Sequence, residues 1–176
     1  MNIVLSILLF LAVFVAFLLF LALVVKKKYF IQREIVINKP SDEVFDYIRY
    51  MRNQEKYNKW VLQDPNVKIE YKGIDGTEGF TSIWEGNKQA GKGEQEIKKI
   101  VENGSINFEL RFEKPFKNVG QTYMHTTAVG KAKTNVKWTM EGRNSYPMNL
   151  FNLFIDNLLG RDLSTSLDNL KRILES

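Results

Sequence analysis

No cysteine occurs among the 176 residues, and His125 is the only histidine. The first absence excludes disulfides, thiol catalysis and a lipid-modified cysteine, and it fits a reducing compartment. Together the two absences leave no Cys/His set with zinc-ligand spacing. A Ser-His-Asp triad would have to rest on His125 alone, and a lone strand histidine is more simply a surface residue. The Gly91-x-Gly93 pair lacks the Lys-Ser/Thr ending and the following helix of a phosphate loop, so it reads as a turn or bulge. Charge is absent altogether from the first 25 residues.

What fills that uncharged stretch is an apolar run from Ile3 to Val25, 23 residues in which Ser6 is the only polar side chain. At ~1.5 Å rise per residue it reaches ~35 Å as a helix, enough to cross a ~30 Å hydrocarbon core with some tilt. It is apolar all round, whereas a soluble core helix needs only one apolar stripe. The run exceeds the ~7–15 residues of a signal-peptide core, no basic residue precedes it, and it ends in Leu-Val-Val-Lys-Lys-Lys without a small-x-small cleavage pattern. A single transmembrane anchor is therefore expected. Lys26, Lys27 and Lys28 follow the span, so the positive-inside bias places the rest of the chain in the cytoplasm.

The formal charge of +5 shrinks once these lysines are set aside. Three of the 25 basic residues are Lys26–Lys28 and no acid lies among the first 28, so residues 29–176 carry 22 basic against 20 acidic side chains, about +2. That is no nucleic-acid footprint. The division expected is an anchor with its basic stop over 1–28 and one domain over 29–176, long enough for a sizeable core.

The pattern of the domain is strand, two helices, six strands, long helix. Ile31, Arg33, Ile35 and Ile37 alternate with Phe30, Gln32, Glu34 and Val36. Ser41 is an expected N-cap, with Asp42 and Glu43 in the first turn. Val44, Phe45, Ile48 and Met51 give the helix its apolar face, and a second short helix is expected from Asn53 to Trp60. Strands follow around Val67–Tyr71, Phe80–Trp84, Glu94–Val101, Ile106–Phe112, Val119–Val129 and Asn135–Gly142. The Asn103-Gly104 pair suits a hairpin turn. The last helix is expected to start at Ser145 and Pro147, to expose a seam of Leu163, Leu167, Leu170 and Leu174 to the core, and to carry Gly160 inside it. Adjacent strands without crossover helices argue for an antiparallel sheet.

These segments resemble the SRPBCC superfamily, whose START-like helix-grip fold includes the polyketide cyclase/dehydrase and lipid-transport group. The resemblance runs over about residues 30–175. It rests on the opening Pro-Ser-Asp-Glu-Val-Phe-Asp-Tyr-Ile (Pro40 to Ile48), on Tyr57-Asn58-Lys59-Trp60 before Asp64-Pro65, and on Gly79-Phe80 and Trp84-Glu85-Gly86-Asn87. Gly91-Lys92-Gly93 with Glu96-Ile97, Val136-Lys137-Trp138 and the closing Leu167-Asp168-Asn169-Leu170-Lys171 complete it. It implies an α+β fold: a curved antiparallel sheet of about seven strands around a long C-terminal helix. It says little about chemistry, because one fold of this kind hosts many functions.

A hollow between sheet and helix makes the aromatics the candidate site. Trp60, Phe80, Trp84, Phe108, Phe112, Tyr123, Trp138, Met140, Phe154 and Leu158 are expected to line it, and apolar pockets with few polar groups suit small apolar ligands. Each aromatic taken singly is better read as a core residue, and the ligand reading applies to the group. The expected partners are membrane lipids and a small hydrophobic ligand such as a lipid or isoprenoid; no cofactor, metal or nucleic acid is implied. Two alternatives stay open. One is a cyclase/dehydrase-type enzyme using Tyr123, His125 or a strand glutamate (Glu94, Glu96, Glu109 or Glu113) as acid or base. The other is a membrane-tethered protein-interaction module.

Overall fold

The structure, a computed structural model, describes residues 2–88 and 90–176. The apolar run forms α1 (Ile3–Val24), the one helix among the described residues long and apolar enough to cross a membrane. Its side chains are exposed nearly throughout, and only Ala22 is buried.

The chain then enters β1 (Lys28–Ile37), α2 (Ser41–Arg49), a 3-10 turn (Met51–Asn53), α3 (Gln54–Tyr57) and α4 (Lys59–Leu62). Strands β2 (Lys68–Lys72), β3 (Thr81–Glu85), β4 (Lys92–Val101), β5 (Ser105–Lys114), β6 (Asn118–Gly130) and β7 (Lys133–Arg143) follow. A second 3-10 segment (Met148–Leu153) leads into α5 (Ile155–Leu174). The seven strands form one antiparallel sheet in the order β1-β7-β6-β5-β4-β3-β2. Consecutive strands pair because short turns join them, and β1 closes on β7 as the long-range partner.

Three local expectations are corrected. Ser41 is the first helical residue of α2 rather than its cap, and Pro40 occupies the cap without a side-chain bond. The helix expected over Asn53–Trp60 breaks at Asn58, whose side chain accepts the Trp60 amide at 3.0 Å and starts α4 afresh. The last helix does not begin at Ser145. Residues 148–153 wind as a 3-10 segment, in which positions three apart eclipse, so Asn149 and Asn152 share one side.

The core lies between the concave face of the sheet, α2 and the C-terminal two-thirds of α5. Ile97, Ile106, Phe108, Met124 and Val136 meet Val44, Ile48, Leu163, Leu167 and Leu170, all buried. Arg33 also faces inward. Its guanidinium pairs with Asp156 at 3.0 Å and lies over Gly160, where a Cβ would collide with it. The glycine in the helix interior thus admits an arginine.

Candidate functional site

The row of inward side chains on β5 shows how a cavity arises. Ile106 and Phe108 are sealed, Leu110 is nearly so, and Phe112 is half-buried. Over the first two lie α2 and the leucine seam of α5. Over the last two lie only the short helices α3 and α4 and the first turns of α5. The sheet is longer than its cover, and a cavity of about 250 Å³ remains at the uncovered end.

That end is defined by strand register. Lys28 pairs with Arg143, Phe112 with Asn118, Lys92 with Lys114, and Glu85 with both Lys92 and Lys68. Lys28 follows α1, so the cavity sits at the end of the sheet from which α1 emerges. Its walls include Tyr29, Trp60, Val61, Ile69, Tyr71, Trp84, Leu110, Phe112, Pro115, Trp138, Met140 and Leu159.

Five of the expected residues come together here: Trp60, Trp84, Phe112, Trp138 and Met140. The indoles are held rigidly. Trp138 Nε1 donates to Thr122 Oγ1 at 2.7 Å, and that hydroxyl donates to the Thr139 carbonyl at 2.8 Å. Trp84 Nε1 donates to the Ala90 carbonyl at 3.0 Å. Trp60 meets Trp138 edge-on at 6.5 Å between centroids, and Trp84 meets Phe112 likewise at 5.7 Å. Such edge contacts are worth about 0.5–1.5 kcal/mol beyond burial.

The other five lie elsewhere. Phe80 and Phe108 are fully buried core residues, Phe80 stacked on Tyr71 at 5.6 Å. Tyr123 points from the opposite face of the sheet, where its hydroxyl donates to Glu141 at 2.9 Å. Strand alternation decides this, because its neighbours Thr122 and Met124 take the inward positions. Phe154 and Leu158 are 61% and 60% exposed and turn away from the sheet.

The groups considered for acid–base chemistry also lie on the outer face. His125 is exposed there. Glu94, Glu96 and Glu109 surround Arg111, with Nε to Glu94 at 2.5 Å, Nη2 to Glu96 at 2.8 Å and Nη1 on Glu109. Hydrogen bonds from Lys98 and then Arg111 hold the Glu96 carboxyl below its ordinary range, and Arg111 followed by Gln121 does the same for Glu109. This is a solvated ion-pair cluster across β4 and β5, to which Gln121 joins β6 through Glu109. Among the described residues no group of three or more His, Cys, Asp or Glu is placed to hold a metal.

The polar groups at the cavity are mostly neutral, and no periodic pattern in the sequence marks them as its lining. Gln54, Asn58, Ser82, Gln95 and Thr122 contribute to its wall. The amide network is directional: Asn58 Oδ1 is taken by the α4 cap, so its Nδ2 faces Gln54 Oε1 at 3.3 Å. That leaves Gln54 Nε2 buried without a partner. At the rim the Tyr71 hydroxyl donates to Glu55, under the Arg52 guanidinium at 4.2 Å from the Tyr71 ring. Burial first, and the Glu55 carboxylate second, push the Tyr71 hydroxyl well above its ordinary pKa, so it remains a donor. A buried glutamine in a short polar helix carries no periodic signal, so only tertiary placement reveals it.

The family model for polyketide cyclase/dehydrase and lipid transport matches residues 31–175. The chain belongs to this family. The apolar helix α1 precedes the matched region. Solved structures of similar shape include truncated norcoclaurine synthase from Thalictrum flavum, with TM-score 0.67 and 11% identity over 85% of this chain and 95% of that one. A hypothetical protein from Helicobacter pylori aligns with TM-score 0.62 and 13% identity, covering 83% and 88%. A protein from Chromobacterium violaceum aligns with TM-score 0.57 and 14% identity, covering 84% and 97%. At such identities the likeness establishes the helix-grip fold alone. The search of curated proteins finds no match.

Proposed function

We propose that this member of the polyketide cyclase/dehydrase and lipid-transport family is a membrane-anchored binding protein for a small hydrophobic ligand, held between the sheet, α3–α4 and the start of α5. The observation that carries the reading is the cavity of about 250 Å³ walled by Trp60, Trp84, Phe112, Trp138 and Met140. Its volume is close to the lower end of the ~300–1,000 Å³ usual for small-molecule sites, which suits a compact ligand or one whose tail leaves through the mouth. The Gln95 amide at the wall makes no side-chain hydrogen bond among the described residues, so it is free to meet one oxygen of an otherwise apolar ligand. The acid–base candidates Tyr123, His125 and the Arg111-bound glutamates stand outside the cavity, which favours binding over catalysis. In this reading α1 spans the bilayer, Lys26–Lys28 face the cytoplasm, and the ligand is a lipid or isoprenoid taken from the same membrane.

Native mass spectrometry of the full chain released from nanodiscs tests it. The wild type should carry a reproducible apolar adduct, and a Val61→Trp variant, which fills the cavity from α4, should lose it. A wild type with no adduct, whose stability does not respond to added membrane lipid extract, sinks the proposal.

A further inference from the structure

Away from α1, exposed apolar side chains gather on one short stretch. Met148, Phe151, Phe154 and Leu158 recur at spacings of three, three and four, and Phe151, Phe154 and Leu158 are each more than half exposed. That spacing places them on one side of the 3-10 segment and the first turn of α5. The other side of the same segment is clamped to the end of α1. Asn149 Nδ2 donates to the Ala22 and Val25 carbonyls at 2.7 and 2.8 Å, and Asn152 Nδ2 to the Lys26 and Lys27 carbonyls at 2.8 and 3.0 Å. Asn144 extends the clamp: its Nδ2 donates to Asn152 Oδ1 at 2.7 Å, and its Oδ1 accepts from Asn118 at 3.0 Å.

Four asparagines therefore tie the last turn of α1 and the chain leaving it to the sheet. The Ala22 carbonyl is one of the unpaired acceptors that every helix end leaves, and Val25, Lys26 and Lys27 follow it past the helix end. The domain is not hung on a slack tether, because the chain passes from Val24 to Lys28 across bonded backbone. The apolar stripe is fixed beside the exit of α1, with Lys26, Lys27, Lys28 and Arg143 exposed around it. Apolar side chains facing outward next to a basic rim form the pattern of a helix lying in a bilayer interface.

We propose that the stripe Met148–Leu158 lies in the headgroup–acyl boundary of the bilayer that α1 crosses, fixing the domain with its cavity end toward the lipid. The proposal rests on the reading of α1 as a membrane span. The occupant is a lipid surface because the stripe continues directly from α1. The cavity shares this end of the sheet: Tyr29, Lys114, Pro115 and Leu159 belong both to its wall and to the end from which α1 emerges. A ligand would pass between bilayer and cavity without crossing bulk water.

The cysteine-free chain permits a direct test. Single spin labels are placed through Phe151→Cys, Phe154→Cys and Leu158→Cys in the full chain, reconstituted in nanodiscs of phosphatidylcholine and phosphatidylglycerol. Phe14→Cys in α1 and Lys99→Cys at the far end of the sheet are the references, and each variant's melting curve confirms folding. Power saturation compares collisions with oxygen, which concentrates in lipid, and with a water-soluble nickel chelate. The stripe labels are expected to share the oxygen preference of Phe14→Cys while Lys99→Cys prefers nickel. Stripe labels as nickel-accessible as Lys99→Cys, with Phe14→Cys still in lipid, overturn the docking and leave the span intact. Stripe labels shielded from both reagents also overturn it, since protein then covers the stripe. A nickel-accessible Phe14→Cys removes the span and the docking together. None of these outcomes depends on whether the cavity is occupied.

Discussion

Gly93 is the second residue of β4, with the Trp84 ring across its backbone. A Cβ there would lie 2.5 Å from the Arg111 carbonyl and 2.7 Å from the indole. Neither can yield freely, because one is backbone in a strand and the other is hydrogen-bonded through Nε1 to Ala90. Gly93→Ala should lower stability by about 1–3 kcal/mol, the usual cost of forcing atoms into a packed site, and should displace the Trp84 wall. A denaturant midpoint equal to wild type would show that Trp84 is not pinned there. Asn149 is the matching case at the α1 exit. Asn149→Ala leaves the Ala22 and Val25 carbonyls without this donor, and about 1–3 kcal/mol should be lost, read as a fall in the unfolding midpoint of the full chain in detergent.

At the scale of elements, β4, β5 and β6 are laced on the outer face by the Arg111 cluster. Glu96 and Glu109 titrate below their ordinary value of 4.5 in the folded chain. Depressed carboxylates contribute stability above the unfolded pKa, and the contribution is lost as pH falls through the folded one. The thermal stability of wild type should therefore fall on acidification from about pH 5 downward. Arg111→Met should flatten that part of the profile, since the Glu109 shift rests mainly on Arg111; an unchanged profile would show that the cluster contributes nothing. At the start of α5, the Arg33–Asp156 pair explains why the helix keeps Gly160. Alanine would gain up to ~1 kcal/mol of helix propensity but displace the guanidinium.

For the molecule as a whole, all three tryptophans of the chain line the cavity. Intrinsic fluorescence is then a reporter of occupancy free of background from other sites. A ligand that fills the cavity should shift the emission and raise stability by about 2.7 kcal/mol at a hundredfold excess over its dissociation constant. Binding that raises the melting temperature without moving tryptophan emission would place the ligand outside this cavity.

The architecture was legible because hydrophobic periodicity is a local property. The inward row Ile106, Phe108, Leu110, Phe112 and the seam Leu163, Leu167, Leu170 each announce one buried face, and the unbroken run before Lys26 announces α1. Burial on a face does not say against what, so the ten expected cavity residues divided. Phe108 and Phe112 lie on the same row of β5, yet one is core and the other wall, depending on where the covering helices stop. Tyr123 lies outside because Thr122 and Met124 take the inward positions of β6, and Phe154 and Leu158 because the start of α5 does not turn them toward the sheet. The start of that helix was hidden because the segment before it is held by partners that are not local: Asn149 and Asn152 direct their amides to an exit 124 to 127 residues away in the chain.

The sequence by itself determined the apolar helix and the order of strands and helices, because periodicity and turn chemistry act within a few residues, and its resemblance to the SRPBCC superfamily implied the helix-grip class. Only the tertiary structure decided which aromatics border empty space, that Gln54 and Gln95 join them, and that α1 is clamped to the domain. Those facts depend on how far one element covers another, a distance that no local pattern encodes.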